Sequence, residues 1–420
     1  MSPTKHRRCG SDPDGTTVEP LPPPVVIPAD LLLEIFARLD VATIVRCAAT
    51  SKAVRRAILD NPAFLAGRVE ANGGLLLGVS YVFLAQDYYR TPASVGQAPR
   101  RRNLRFDAGV LMSDEPVASR GGLVVLRDRD RHYGYEHLRV YNGLTGDTSR
   151  LPPARVTGHY PHALLAVEHH AAGRSSFRLL VADVRLRTQI FSSEGGGSWG
   201  PVVQLTSRPP GLPRTVPDRG SHPVVLGGAA VHWLRRDDHH WLRGDGQCIV
   251  RLDIDKAEAT LMALPPGSIS RVRSIEFDHH ALRLAASAAG ELSLLVAEVL
   301  VISMWTLSPA ATAAGEGAST SAMSSAPTAA RWNRRVVIRR EAIGRQGPAG
   351  GYSAQFLGFG ELSSTAILLM DQIGLVQINL KTKEAVVLES DGFKGARAGD
   401  LQLCLHEADL RSLLRNMRSF

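Results

Sequence analysis

From about Leu75 onward, the chain repeats a group of three or four short segments that have the composition of β-strands and are separated by glycine-containing turns. The groups recur at intervals of roughly 35–60 residues, which is the range of β-propeller blades. One such sheet cannot bury both of its faces alone, so neighbouring sheets must stack on it, and circular closure hides the edge strands. The groups begin near Gly121, His162, Pro223, Leu282 and Phe356.

This repeat predicts a large all-β, propeller-like domain of about six to eight blades over residues 73–405, with paired β-sandwiches as the alternative. The low-complexity tract 309–330 indicates a flexible insertion, because strand-like sequence resumes directly after it. Residues 406–420 have leucines at helical spacing. They predict a C-terminal helix that packs on the N-terminal helices or on the last blade.

The N-terminal part differs from the rest. Residues 1–24 are polar and proline-rich, which predicts a disordered leader, and residues 25–68 predict three short helices. Asp40 and Ser51 are placed to cap the second and third helices. The chain as a whole is therefore predicted to be an α+β multidomain protein, a small three-helix domain followed by the β domain.

The first of these helices, within residues 27–40, carries more apolar surface than a small domain can cover. Its apolar arc is about 200° wide, whereas a surface helix needs about 100°. Three short helices cannot enclose so many apolar side chains. The surplus must be covered by the rest of the same chain or by a partner protein with a hydrophobic groove.

Residues 27–65, IPADLLLEIFARLDVATIVRCAATSKAVRRAILDNPAFL, resemble an F-box. Val54 and Arg55 stand where that family often has a tryptophan. The features that carry the resemblance are Pro28 followed by Asp30, the stripe of Leu32, Ile35 and Leu39, the pair Arg46-Cys47, the pair Ser51-Lys52, and Pro62, Phe64 and Leu65.

The resemblance implies that these helices bind the Skp-type adaptor of Skp–cullin–F-box ubiquitin ligases and, through it, cullin. The order of the later groups is similar to that of the F-box-associated β-propellers of plants, particularly grasses, as in VVLGGAAVHWL and FSSEGGGSWGP. The residues expected to contact the adaptor, or to support that contact, are Ile27, Pro28, Leu31, Leu32, Ile35, Phe36, Leu39, Ile44, Val45, Cys47, Ser51 and Val54.

By the same resemblance, the chain is expected to be a non-catalytic substrate receptor whose propeller binds an unknown target protein. Aromatic and arginine side chains in loops suit such a site. Two other functions stay open: a ligand- or glycan-binding propeller with a deep central pocket, and a scaffold outside ubiquitination that uses the F-box as an interaction module. The residues expected to bind the target are Trp233, Arg235, Arg236 and Trp241.

The net charge and the cysteines disfavour two kinds of protein, a nucleic-acid-binding protein and a zinc ribbon. The net charge is +9, but most arginines are scattered, so a dispersed basic surface is favoured over nucleic-acid binding. The four cysteines lie far apart and form no CxxC pair, which disfavours a zinc ribbon and fits a reducing compartment. The N-terminus has no apolar signal region, so we expect the cytoplasm, the nucleus or both.

Three patterns imitate functional sites. Segment 292–309 is apolar over about 18 residues, but it contains Glu298 and many β-branched residues, so buried strands are favoured over a membrane span. Residues 196–200 match G-x-S-x-G, but a strand-like segment follows where a nucleophile elbow needs a helix, which favours a turn. Adjacent histidines, as at His279-His280, would point to opposite faces of a strand, whereas metal ligands must converge from one side. We therefore predict no catalytic residue, no metal and no cofactor.

Overall fold

The computed structural model describes most of the chain outside its leader and several connections. The tract 309–330, the leader 1–24 and the predicted cap Asp40 lie outside the described residues. The described residues are 27–39, 41–65, 67, 75–84, 92–98, 106–128, 137–156, 162–169, 175–183, 185–207, 222–235, 248–272, 279–286, 290–308, 331–343, 353–371, 373–389, 393 and 397–416.

The β domain begins with a hairpin of β1 (Leu75–Leu84) and β2 (Pro92–Ala98). Five four-stranded antiparallel sheets then follow in chain order. Blade 1 contains β3 (Asp114–Arg120), β4 (Leu123–Asp128), β5 (Leu138–Asn142) and β6 (Thr148–Arg150). Blade 2 contains β7 (Ala163–His169), β8 (Ser175–Ala182), β9 (Thr188–Ser192) and β10 (Ser198–Trp199). Blade 3 contains β11 (Val224–Leu226), β12 (Ala230–Arg235), β13 (Cys248–Asp253) and β14 (Glu258–Ala263). Blade 4 contains β15 (Leu282–Ala286), β16 (Leu292–Ala297), β17 (Val301–Ser308) and β18 (Arg331–Arg339). Blade 5 contains β19 (Ala354–Gly360), β20 (Thr365–Met370), β21 (Gly374–Asn379) and β22 (Ala385–Glu389).

A three-stranded sheet, the closing sheet, completes the ring. Its third strand, β23 (Leu401–Ala408), pairs antiparallel with β1, so the sheet order is β2-β1-β23. The first strand of each blade contacts the first strand of the next, and β23 contacts both β19 and β3. The domain is thus a propeller with five four-stranded blades, and the closing sheet is a sixth, three-stranded sheet in the ring. The predicted six to eight blades exceed these five, because sequence cannot show that strands from the two ends of the domain share the closing sheet.

Apolar side chains fill the spaces between successive sheets. Ile249, Leu294 and Trp305 belong to the cluster between blades 3 and 4, and Leu295 and Phe356 to that between blades 4 and 5. Similar clusters lie at the four other junctions of the ring. Each sheet is therefore buried on both faces by its neighbours, which excludes the alternative of paired sandwiches.

Paired glycines form the tight turns of two inner hairpins. Gly121 and Gly122 form the two-residue connection between β3 and β4, and Gly227 and Gly228 are the first two residues of the three-residue connection between β11 and β12. All four have positive φ, between 56° and 80°. Glycine reaches this left-handed conformation without steric cost, and in the β3–β4 hairpin two consecutive left-handed residues match the right-handed twist of the strands.

The apolar segment 292–309 forms strands rather than a membrane helix. It contributes β16 and β17, joined by a short turn that contains Glu298. Arg334 donates two hydrogen bonds to the Glu298 carboxylate, at 2.9 and 2.7 Å, and Ser303 donates a third. Burial favours a higher pKa for Glu298, but these hydrogen bonds hold its pKa below the ordinary value. Across the described residues, no helix is both long and apolar enough to cross a membrane.

The N-terminal part forms three helices, α1 (Ala29–Ala37), α2 (Val41–Thr50) and α3 (Lys52–Leu59). Ser51 caps α3, as predicted: its side chain accepts a hydrogen bond from the backbone N–H of Val54 at 3.3 Å. Asp409, the residue after β23, similarly accepts hydrogen bonds from Ser412 at the start of α4 (Leu410–Asn416). The C-terminal helix thus begins later than the expected position 406, since β23 extends to Ala408.

The C-terminal helix completes the core of the N-terminal helices. Leu410 and Leu414 are fully buried in one cluster with Phe36, Ile44 and Ile58. The small domain therefore borrows part of its core from the far end of the chain. This packing places α4 against the N-terminal helices, one of the two positions expected from sequence.

Replacing Leu414 with alanine is expected to destabilise the protein by about 2–5 kcal/mol, because it leaves a cavity in this shared core. Chemical denaturation monitored by circular dichroism measures the change. Arg411→Ala on the exposed face of the same helix is the control and should change stability by less than about 0.5 kcal/mol. Equal effects of the two substitutions would mean that α4 is only an appendage.

His406 lies in β23 of the closing sheet, where it pairs with Gly78 of β1. Its side chain is 1% exposed, its Nε2 lies 2.9 Å from Ser80 Oγ, and its ring packs on Phe106 at a centroid distance of 4.6 Å. Burial lowers the pKa of His406 from 6.5 to about 3. The folded protein therefore holds this histidine neutral, whereas the unfolded chain protonates it in mild acid.

The stability that depends on neutral His406 is complete above about pH 6.5 and decreases as the pH falls toward 3, by about 1.4 kcal/mol per pH unit. We expect His406→Gln to flatten the dependence of unfolding free energy on pH between 6 and 4 by about this slope. Urea titrations at several pH values measure it. The exposed His137→Gln is the control. An unchanged slope in His406→Gln would contradict this account.

Candidate functional site

An apolar stripe runs along the exposed side of α1. Ile27, Leu31 and Ile35 are spaced four residues apart and have exposed fractions of 47%, 52% and 47%. Leu31 and Ile35 lie on one face of α1, and Ile27 lies just before the helix, which begins at Ala29. Single exposed aliphatic side chains are common on protein surfaces, but these three together form a patch of the kind that partners bind.

Buried residues on the other side of α1 hold the stripe in place. Phe36 is 4% exposed and packs in the core shared by α2, α3 and α4. Leu32 and Leu33 are half-buried against the same core. The helix cannot rotate to hide Leu31 or Ile35 without exposing these side chains. The stripe is therefore a fixed feature of the folded domain.

The structure divides the predicted adaptor-binding residues into three groups. Phe36 and Ile44 are buried, so of the two expected roles, direct contact or support, only support of the exposed face from inside is open to them. The exposed residues are Ile27, Pro28, Leu31 and Ile35. The half-buried residues are Leu32, Leu39, Val45, Cys47, Ser51 and Val54.

A charged pair lies on the exposed surface of α1. Arg38 donates a hydrogen bond to Glu34 at 2.9 Å, and both side chains are largely solvated. Such a pair contributes little to stability. It leaves the apolar stripe next to polar groups, as at the rim of a protein–protein interface.

The two described residues among those predicted to bind a target, Trp233 and Arg235, are buried. Trp233 is 2% exposed and lies in β12, where it belongs to the cluster between blades 2 and 3, and Arg235 is 5% exposed at the end of the same strand. The prediction of a loop site was wrong for these two, because an aromatic residue in a blade strand is needed for packing. Arg236 and Trp241 lie outside the described residues.

The innermost strands enclose a narrow channel lined by charged side chains. Arg120 Nε lies 3.2 Å from Glu361 Oε2, and Arg120 also donates hydrogen bonds to the backbone oxygens of Leu164 and Leu165. Burial raises the pKa of Glu361, while Arg120 opposes the rise. Burial also lowers the pKa of Arg283 to about 10. The polar groups of the channel thus lie in a poorly hydrated environment.

The cavity in this channel has a volume of about 50 Å³. A water needs roughly 10–15 Å³ of such volume, so the cavity has room for only a few waters. Ligand pockets usually have volumes of about 300–1,000 Å³. The channel is therefore too small for the deep central pocket that a glycan-binding propeller requires.

A larger groove of about 560 Å³ lies between blades 1 and 2. Phe177 and Phe191 stack in its wall with ring centroids 5.7 Å apart. Ser193 at the rim already accepts a hydrogen bond from the Phe177 backbone N–H. Its lining also includes polar and charged side chains, such as Asn142 and Asp147. Sequence reasoning missed it because its walls come from separate blades.

The apparent catalytic and metal motifs have structural roles. Gly195, Gly196 and Gly197 all have positive φ and form the predicted turn, here between β9 and β10. Ser198 is the first residue of β10 and does not sit on an elbow before a helix. His279 and His280 lie in a single turn of 3₁₀-helix. No group of three potential metal ligands occurs among the described residues.

Two regions of the chain match known protein families. Residues 25–64 match the F-box-like family, and residues 78–420 match a family described as Domain of unknown function (DUF7595). No curated protein matches the chain.

Similar solved structures share little sequence with the chain. A chain of the nidogen/laminin complex is 11% identical with a TM-score of 0.35, over 74% of this chain and 92% of that chain. Hydrazine synthase of Kuenenia stuttgartiensis is 8% identical with a TM-score of 0.39, over 83% of this chain and 49% of that chain. The N-terminal domain of Nup159 is 11% identical with a TM-score of 0.28, over 59% of this chain and 60% of that chain. TM-scores in this range support no inference about function.

The match to residues 78–420 covers most of the chain and includes every blade, the closing sheet and the C-terminal helix. The F-box-like match coincides with α1, α2 and α3. The chain therefore belongs to the DUF7595 family and carries an F-box-like domain in front of its family domain.

Proposed function

We propose that the chain is the substrate-recognition subunit of a Skp–cullin–F-box ubiquitin ligase. In this proposal, the helical domain binds a Skp-type adaptor through the α1 stripe, and the propeller binds the protein to be modified. The observation that carries the proposal is the exposure of Ile27, Leu31 and Ile35 in a domain of the F-box-like family. F-box-like domains generally mediate binding to such adaptors.

The energy available at the stripe is adequate for docking. Burying the exposed half of one leucine or isoleucine side chain gains about 1 kcal/mol. Three such side chains, added to the polar contacts that surround them, make a small hydrophobic centre of the kind that dominates protein interfaces. The partner that fits is a protein with an apolar groove that accepts one helix face.

The mechanism in this proposal is proximity. A target held on the propeller is brought next to the conjugating enzyme that other subunits recruit, which raises its effective concentration. The packing of α4 in the core of the helical domain supports a fixed orientation between the two binding surfaces. The transfer chemistry belongs to the other subunits, so this chain needs no catalytic residue, and the proposal places it in the cytoplasm, the nucleus or both.

The double substitution Leu31→Asp/Ile35→Asp is expected to weaken binding of a recombinant Skp-type adaptor by at least about 3 kcal/mol, roughly 150-fold in Kd, because it places charges in an apolar contact. Leu31 is preferred to Leu32 because Leu32 packs in the core and its loss would disturb folding. Calorimetric titration of the full chain measures the affinity.

The matched control is Val386→Asp/Val387→Asp, which changes two similarly exposed residues on β22. It should leave adaptor affinity unchanged. Full-affinity binding by a correctly folded Leu31→Asp/Ile35→Asp chain would refute the adaptor site. If the wild-type chain captures the adaptor but no cullin, the scaffold function replaces the ligase function.

A further inference from the structure

Strand β18 is the longest of the outermost strands. It contains nine residues, whereas β6, β10, β14 and β22 contain three, two, six and five, and β2 of the closing sheet contains seven. It pairs with β17 over its whole length, from Arg331 with Ser308 to Arg339 with Val301, with one β-bulge at Val337, so the part from Arg331 to Val336 is a regular strand. No other described strand pairs with its outer edge. Every second residue of such an edge directs its N–H and C=O groups away from the sheet.

Arginine dominates the side chains of this edge. Residues 331–342, RWNRRVVIRREA, contain five arginines and one glutamate. Arg334 is neutralised by its paired hydrogen bonds to Glu298. Arg331, Arg335 and Arg339 are exposed and form no ion pair within the described residues. The edge is therefore a local positive stripe on a chain whose other described outer strands carry few arginines.

The strand is held in place rather than loosely attached. Val337 and Ile338 are buried in the cluster between blades 4 and 5. Trp332 is half-buried beside Trp305 in the cluster between blades 3 and 4. Val336, between the arginines and this anchor, is 38% exposed. A partner would meet a preformed edge that offers both cationic and apolar side chains, so little ordering would oppose binding.

Charges on an edge strand often serve only to prevent pairing with other chains. Here the charges have one sign, so they repel a second copy of the same strand but attract an acidic one. A nucleic acid would also be attracted by the charge, but a long, unpaired backbone edge matches another peptide strand. The charge and the backbone geometry together point to a peptide.

We propose that β18 binds an acidic, extended polypeptide segment by strand addition, with acidic side chains opposite Arg331 and Arg335 and apolar ones beside Trp332 and Val336. The statement that this segment belongs to the protein to be ubiquitinated rests on the proposed function. The binding itself does not, since it needs neither the adaptor nor the α1 stripe.

The test uses a fluorescein-labelled peptide of about eight alternating glutamate and valine residues, titrated with the full chain at low and moderate salt. We expect saturable binding that weakens with salt and that falls by at least about tenfold in Arg331→Glu/Arg335→Glu. The matched control is Arg150→Glu/Arg178→Glu, which changes the net charge equally at exposed arginines of blades 1 and 2 and should bind the peptide as the wild type does.

A second peptide separates strand addition from simple charge attraction. It has the same sequence but alternate N-methylated backbone nitrogens, which cannot donate hydrogen bonds, and we expect it to bind at least about tenfold more weakly. Equal binding of both peptides would overturn strand addition. So would binding of a single-stranded oligonucleotide in place of the peptide, or a peptide affinity that Arg331→Glu/Arg335→Glu leaves unchanged. Adaptor affinity measured on the same variants should stay at the wild-type value, which keeps this result separate from the test of the α1 stripe.

Discussion

The pairing of β1 with β23 is the interaction on which the rest of the structure depends. It joins residues more than 300 positions apart, as the contact between Ser80 and His406 shows, with a separation of 326. Bringing such distant segments together costs conformational entropy, although the cost grows only slowly with loop length. The apolar clusters on both sides of the closing sheet offset this cost. Without the pairing, blades 1 and 5 would each lose the sheet that covers one face.

A buried carboxylate locks the closing strand to blade 5. Burial raises the pKa of Glu407, and Ser363 donates hydrogen bonds to its carboxylate from both its backbone N–H and its hydroxyl. The position of Gly360 depends on this contact, since a Cβ there would lie 2.1 Å from Glu407 Oε1. Glycine is needed at this point because the buried Glu407 side chain, held by Ser363, occupies the space that a Cβ would take. The lock lies near the end of β23, directly before the chain enters α4.

The segment that contains β23 and α4 therefore has two roles: β23 closes the ring, and α4 completes the core of the helical domain. Asp409 is the single residue between β23 and α4, and its carboxylate caps the helix. Loss of ring closure would withdraw Leu410 and Leu414 from the helical domain. In the proposed ligase, this connection ties the adaptor-binding stripe to a rigid propeller and leaves the distance to β18 on blade 4 fixed. A receptor that works by proximity benefits from such a fixed geometry.

The sequence by itself determined the local elements. The 3.6-residue periodicity predicted the helices and the excess of apolar surface on α1, the capping residue Ser51 predicted the start of α3, and the repeated strand groups predicted a propeller. Local patterns suffice for these features because they depend on neighbours within a few residues. The sequence could not show that Phe36 and Trp233 are buried while Leu31 and Ile35 stay exposed, because all four are apolar.

Only the tertiary structure decided which part of that apolar surface stays open, how many blades form, and where the chain closes. The side of α1 that is buried packs on α3 and on a core that α4, arriving from the opposite end of the chain, completes from the side of α2 and α3. The blade number depends on whether the first and last strands share a sheet. These are contacts between residues far apart in sequence. Local periodicity carries no information about them, since it is the same whichever distant segment covers a given face.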